Sequence, residues 1–220
     1  MRLRFNKNAR SILDASKEYF VCTKNLTQVD PSTWFCNENK NVILEIGCGK
    51  GNFIIQNALK YPDTNFVALE KNETILAKAI TKAKAHNLNN LKFVASDANL
   101  LNELFVNNKF SKIYLNFSDP WPKARHEKRR LTHPNFLSKY KLLLTNNGFI
   151  EFKTDHDCLY NYTYYDVLNS NLDKYTVIYQ TNDLYNHLTE FNNSDNIATE
   201  YEKKNHDLNK NIYKIVFSYK

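Results

Sequence analysis

V-I-L-E-I-G-C-G-K-G, Val42 to Gly51, is the stretch of this 220-residue chain whose reading decides the fold. Val42 to Ile46 form a continuous apolar run interrupted only by Glu45, the pattern of a strand buried on both faces. Gly47, Gly49 and Gly51 follow at alternate positions and let the backbone turn tightly. Helical spacing then resumes with Phe53, Ile54, Ala58 and Leu59 and stops before Tyr61-Pro62. Strand, glycine turn and helix in that order open a βα unit.

The same alternation repeats outward from this unit. Strands are expected over Asn65 to Leu69, Leu91 to Ala95, Lys112 to Phe117 and Gly148 to Lys153, separated by helices over Glu73 to His86, Leu100 to Val106 and Pro134 to Leu144. A further helix is expected over Cys158 to Leu168. Two tail strands, Tyr175 to Gln180 and Ile212 to Tyr219, bring the total to seven. Strand and helix in alternation mean a parallel sheet with helices on both faces, an α/β fold of the Rossmann-like kind. The tail strands have no helical crossover between them, so they read as an antiparallel hairpin closing one edge. The segment Asn186 to Asn211 is too polar to pack fully and reads as a lid or a loop ordered by a partner. Residues 1 to 41 hold no clean strand, only a short helical pattern over Ser11 to Phe20, and read as a basic, partly mobile arm before a domain spanning 42 to 220.

Composition narrows the class. Hydrophobic residues make up 42% and aromatics 14%, which excludes a disordered chain. No apolar run is long enough to span a bilayer, and the start of the chain lacks an apolar signal core, so a cytoplasmic protein is expected. The four cysteines are scattered without a C-x-x-C pair, so no metal is expected. The net charge is +7, and its placement says more than its size. Residues 1 to 24 carry six basic and two acidic groups, and residues 120 to 130 carry five and one, so these two stretches hold the whole excess. All six arginines, Arg2, Arg4, Arg10, Arg125, Arg129 and Arg130, fall there. The planar guanidinium fork suits bidentate phosphate contact, so Arg125, Lys128, Arg129 and Arg130 are candidates for a nucleic-acid backbone.

The carboxylates are the second signal. Glu45, Glu70, Asp97, Asp119 and Asp155 each close an expected strand, and the carboxyl ends of parallel strands share one edge of a sheet. The glycine loop lacks the third glycine of G-x-G-x-x-G, because Asn52 stands there, and so fits a nicotinamide site poorly. Its acidic-x-G-x-G-x-G spacing is that of class I methyltransferases. Glu70 lies at the distance along the chain at which an acid reaches ribose hydroxyls.

The motifs together resemble the bacterial tRNA (guanine-N7-)-methyltransferase family. They are E-I-G-C-G-K-G at Glu45 to Gly51, Y-L-N-F-S-D-P-W-P-K-A-R-H-E-K-R-R-L at Tyr114 to Leu131, F-K-T-D at Phe152 to Asp155, and T-E-Y-E at Thr199 to Glu202. The likeness covers nearly the whole chain and is loosest over the first forty residues. It implies a class I methyltransferase fold that uses S-adenosyl-L-methionine and acts on N7 of guanine at position 46, in the variable loop of tRNA. Carried over by residue, it implies cofactor contacts at Glu45, Gly47, Gly49, Gly51, Glu70, Asp97 and Asp119. It implies substrate contacts at Lys123, Asp155, Thr199, Glu200, Tyr201 and Glu202, and a catalytic Asp119.

The chemistry is consistent with that family. Guanine N7 has a free lone pair and no proton, so methylation needs alignment and tolerance of growing positive charge rather than a general base. Asp119 suits either the stabilisation of that charge or acceptance of the guanine N1–H and N2–H donors. Trp121 and Tyr201 are candidate stacking surfaces for a splayed base, and His126 and His133 read as hydrogen-bonding or phosphate-side residues. The rival readings are a nucleic-acid amino-methyltransferase using Asp119-Pro120-Trp121, and a non-catalytic RNA-binding protein on the same fold. Monomer and homodimer both remain open.

Overall fold

The computed structural model describes residues 6–39, 41–190 and 193–220. The chain divides into two compact units, Met1–Lys109 and Phe110–Lys220.

In the first unit, helix α1 (Ala9–Asp14) and a two-residue strand β1 (Phe20–Val21) precede β2 (Val42–Ile46), α2 (Asn52–Lys60), β3 (Asn65–Glu70), α3 (Glu73–Lys84), β4 (Leu91–Ala95) and α4 (Leu101–Leu104). The strands run parallel in the order β1-β4-β3-β2, with Ile43 opposite Phe66 and Ala68 opposite Phe93. Every residue of β2 is buried, Glu45 included, as a strand covered on both faces requires. Leu44, Phe66, Val67, Leu76, Ile80, Phe93 and Leu101 form the centre of the core. Asn72 caps α3 by accepting from Ile75 N.

In the second unit, β5 (Phe110–Asn116), α5 (Pro134–Leu143), β6 (Leu144–Thr154), α6 (Asp157–Asn161), β7 (Tyr175–Thr181), α7 (Glu200–Asp207) and β8 (Tyr213–Tyr219) follow one another. Strand β5 pairs parallel with β6, β6 antiparallel with β8, and β8 antiparallel with β7. The tail strands do pair as a hairpin, and β8 is the one that joins β6. Helix α6 runs on into a π-helical segment over Tyr162–Leu168.

Three expectations change. The strands number eight among the described residues, because β1 was too short to show an alternation. The stretch read as an arm is folded into the first unit over residues 6–39: Leu13 is fully buried, α1 packs on α3, and Arg10 binds Asp14, Glu73 and the Cys22 sulfur instead of facing out. Arg2 and Arg4 lie outside the described residues. The polar segment before β8 holds a helix, α7, whose reciprocal cap between Thr199 and Glu202 compensates for its low apolar content.

Candidate active site and nucleic-acid interface

The glycine loop in the first unit is shaped by its neighbours on β3. Gly47 N and Cys48 N both donate to Leu69 O, at 2.7 and 3.1 Å, and Gly51 N donates to Cys48 O at 2.9 Å. Gly47, Gly49 and Gly51 all have positive φ, at 79°, 57° and 76°. The space around them differs. A Cβ at Gly47 or Gly49 would meet nothing within 4 Å, so the loop borders open room there, as a ligand needs. A Cβ at Gly51 would come within 2.8 Å of Ala79 Cβ. Gly51 therefore serves the close approach of the loop to α3.

Two of the expected cofactor acids also hold the backbone. Glu70 Oε2 accepts from Gly49 N at 3.2 Å and its Oε1 from Asn72 N at 2.9 Å. Asp97 Oδ1 accepts from Asn99 N and Asn99 Nδ2, both at 2.8 Å. Glu45 is buried in β2, and its charge, with that of Glu70, adds to the effect of burial in pushing the Cys48 thiol well up, so the thiol stays protonated.

In the second unit, β5 ends at Asn116 and the chain bends through Phe117 and Trp121, which both have positive φ, at 50° and 41°. Such non-glycine positions cost backbone energy and concentrate at functional sites. Asp119 lies between them with its side chain exposed. The bend is held from behind. Arg130 donates from Nε and Nη2 to Trp121 O at 3.3 and 3.1 Å, and its guanidinium lies 4.2 Å from the Tyr162 ring centroid. Arg129 sits 4.9 Å over the Trp121 ring, and His126 meets that ring edge-on at 5.5 Å.

Arg130 thus departs from its expected role. At 9% exposure it is an internal clamp, because the bend offers it a carbonyl and an aromatic face that no phosphate need supply. Lys123, Arg125 and Lys128 are exposed on the turn that follows and carry no ion pair among the described residues. Trp121 is partly covered by its two neighbours and offers less stacking surface than its sequence context suggested. His133 caps α5, its Nδ1 accepting from Asn135 N at 3.1 Å, and burial pulls its pKa below the usual histidine value.

The Thr199 to Glu202 segment is joined to β6 through Lys153. Lys153 Nζ lies 2.7 Å from Glu202 Oε2, and it also donates to Asn196 Oδ1 at 3.0 Å and Ile197 O at 3.2 Å. Asn196 Nδ2 donates to Glu202 Oε1 at 2.7 Å. Glu202 and Thr199 therefore spend their side chains on structure, while Glu200 and Tyr201 remain exposed. Tyr201, 51% exposed, packs its ring 5.4 Å from that of Phe117, so α7 touches the bend that carries Asp119. Asp155, two residues after Lys153, is half-buried and has Lys210 at 3.7 Å.

Sequence reasoning missed Lys153, Asn196 and Phe117. For Lys153 the signal was a lysine inside an apolar strand, where a charge needs a partner. Among the described residues His156, Asp157 and Cys158 bring potential metal-ligand atoms within 4.8 Å of one another, but Asp157 Oδ1 already accepts from Cys158 N at 2.7 Å.

Comparison with known proteins gives the family. The model of a family described as "Putative methyltransferase" matches residues 39–215. The tRNA (guanine-N(7)-)-methyltransferase of Ureaplasma urealyticum serovar 10 is 44% identical over 219 residues, covering 100% of this chain and 98% of that one. The chain belongs to the tRNA (guanine-N(7)-)-methyltransferase family. Another member, from Mesoplasma florum, is 41% identical and covers 98% of both chains. Among solved structures, 16S rRNA methyltransferase KamB is similar with a TM-score of 0.59 at 12% identity, covering 89% of this chain and 96% of that one, which shows a shared fold. The expected class I methyltransferase fold is thus the observed one, with mostly parallel strands and an antiparallel edge.

Proposed function

We propose that this member of the tRNA (guanine-N(7)-)-methyltransferase family transfers a methyl group from S-adenosyl-L-methionine to N7 of a guanine in the variable loop of tRNA, in the cytoplasm. The observation that carries the reading is the full-length identity to curated family members, 44% over 219 residues with the Ureaplasma protein. Open space beside Gly47 and Gly49 fits a bound cofactor, and Glu45, Glu70 and Asp97 are the acids that would hold it. When bound, S-adenosyl-L-methionine supplies an electrophilic methyl group on a sulfonium.

The chain's own residues have the remaining tasks. Asp119, exposed on a bend that Arg130 fixes, presents a carboxylate to a ring that gains positive charge, or to its N–H edge. Preorganisation of that bend matters because a carboxylate already in place needs no reorganisation during reaction. Lys123, Arg125 and Lys128 offer exposed cations to the phosphate backbone. Tyr201 presents half its surface as a platform for the splayed base. Asp155 offers a second carboxylate in the same unit.

Incubation with S-adenosyl-L-methionine and unmodified tRNA, followed by nucleoside mass spectrometry, tests the reading. It expects 7-methylguanosine. A different methylated nucleoside, or none under conditions where a family member is active, would overturn it.

A further inference from the structure

The second unit contains a cavity of about 480 Å³ that none of the expected site residues lines. Its volume falls in the range of small-ligand pockets, on the order of 300–1,000 Å³. One wall is the face of α6 and the π-helical turn after it. Tyr160 from α6 and Tyr165 from the π-helical segment both line this wall. Tyr160 is fixed in place: its ring stacks between Tyr164 at 6.0 Å and Tyr213 at 4.8 Å, and its hydroxyl donates to Gln180 at the end of β7. Tyr165 is different. Its ring leans edge-on against Tyr164 at 4.8 Å and leaves 54% of the residue exposed, an aromatic face at the cavity mouth.

The charges here select against phosphate. Among the described residues no lysine or arginine lines the cavity, in a chain of net charge +7, whereas the carboxylates of Asp157 and Glu190 do. Glu190 is engaged with His187 Nδ1 at 2.8 Å and Tyr179 OH at 3.2 Å, whereas Asp157 accepts from Cys158 N at 2.7 Å through Oδ1 and is the more exposed acceptor of the two. A phosphate would be repelled, while a neutral ring with N–H donors meets an aromatic face, an amide and a carboxylate. The cavity also adjoins the proposed site along the chain, since Asp157 follows Asp155 by two residues at the carboxyl end of β6.

We propose that this cavity takes a second nucleobase of the RNA substrate, a base with N–H donors, stacked on Tyr165 and hydrogen-bonded to Asp157. The proposal rests on the functional reading above. It adds a contact that holds the RNA by a base, apart from the cationic turn that holds it by phosphates.

Ultraviolet cross-linking of the wild-type protein to unmodified tRNA, with mapping of the joined peptide, tests it together with Tyr165→Ala and Tyr165→Phe. A base attached within the peptide holding Tyr160 and Tyr165 is expected. Tyr165→Ala should weaken tRNA binding and raise its KM by roughly tenfold, with kcat at saturating tRNA and the melting temperature unchanged, and Tyr165→Phe should bind as wild type does. Methylation of tRNA by the wild type, with no such cross-link and with unaltered binding by Tyr165→Ala, would overturn the cavity proposal and leave the functional reading standing. Failure of the wild type to methylate tRNA would overturn both.

Discussion

Lys153 Nζ and Glu202 Oε2 are 2.7 Å apart, and neither side chain exposes any surface. The pair ties α7 to the middle of the sheet in its unit and, through Asn196 and Ile197, gathers the polar segment before α7 around one buried cation. Removing one partner leaves an uncompensated charge in the interior, at a cost of about 3–5 kcal/mol, whereas replacing both by apolar groups costs far less. Lys153→Met is therefore expected to lower unfolding stability by about that amount. The double variant Lys153→Met with Glu202→Leu should recover most of it. Denaturant unfolding of the four forms checks this, and additive losses would contradict the pairing.

Tyr201 lies one residue from Glu202 and packs on Phe117, so the role proposed for Tyr201 as a base platform ties the same pair to turnover. The double variant, although folded, loses the hydrogen bonds that set the start of α7. Its kcat with tRNA is expected to fall by about tenfold or more, as a misplaced positioning group does. A double variant with full stability and full kcat would show that α7 does not position the substrate.

The cations after Asp119 should separate into two classes. Arg125→Ala removes an exposed cation proposed to meet a phosphate, so tRNA binding is expected to weaken and the slope of log affinity against log salt to become shallower by about 0.7–0.9. Arg130→Ala frees the Trp121 carbonyl and the Tyr162 face, so it should lower the melting temperature and abolish turnover without the salt-slope signature. Filter binding across a salt series with thermal melts distinguishes them, and equal salt slopes for Arg125→Ala and wild type would refute the phosphate contact.

The three loop glycines should also differ. Gly51→Ala places a methyl group 2.8 Å from Ala79 Cβ on top of an unfavourable φ, a loss of about 1–2 kcal/mol from the backbone with overpacking beyond it. Gly49→Ala has the backbone cost without the clash and should mainly weaken binding of S-adenosyl-L-methionine. Calorimetric titration and unfolding of both variants check the contrast.

His133 gives a pH dependence. Its Nδ1 accepts the capping hydrogen bond and burial lowers its pKa in the folded state, so the unfolded chain binds the proton first as pH falls. The cap's contribution is full above the ordinary histidine pKa and is lost as pH drops below it through the folded value. His133→Asn keeps a capping acceptor that does not titrate. Its stability should therefore fall less than that of wild type on acidification below the ordinary histidine pKa, and parallel pH profiles would contradict the assignment.

Much of this was legible in the sequence, for physical reasons that also mark where legibility stopped. Buried strands such as Val42–Ile46 and Asn65–Glu70 declare themselves because both faces must be apolar, and the glycine loop because few other residues tolerate its φ. Strand β1 is two residues long and has no pattern to read. Helix α7 has almost no apolar face, so its periodicity is silent and only the Thr199–Glu202 cap betrays it. The inward turns of Arg10 and Arg130 depend on partners distant in sequence, Glu73 and Tyr162, that no local pattern links to them. A run of cations announces charge but not which of them the fold itself consumes.

The role proposed for Asp119 is to serve methylation at guanine N7 in the tRNA variable loop. Borohydride reduction and aniline cleavage break an RNA chain at 7-methylguanosine, so tRNA treated with wild-type or Asp119→Ala protein and S-adenosyl-L-methionine can be read at single-nucleotide resolution. One new cleavage, in the variable loop, is expected with wild type, and its loss with a folded Asp119→Ala. Cleavage elsewhere, or undiminished cleavage with Asp119→Ala, would contradict it.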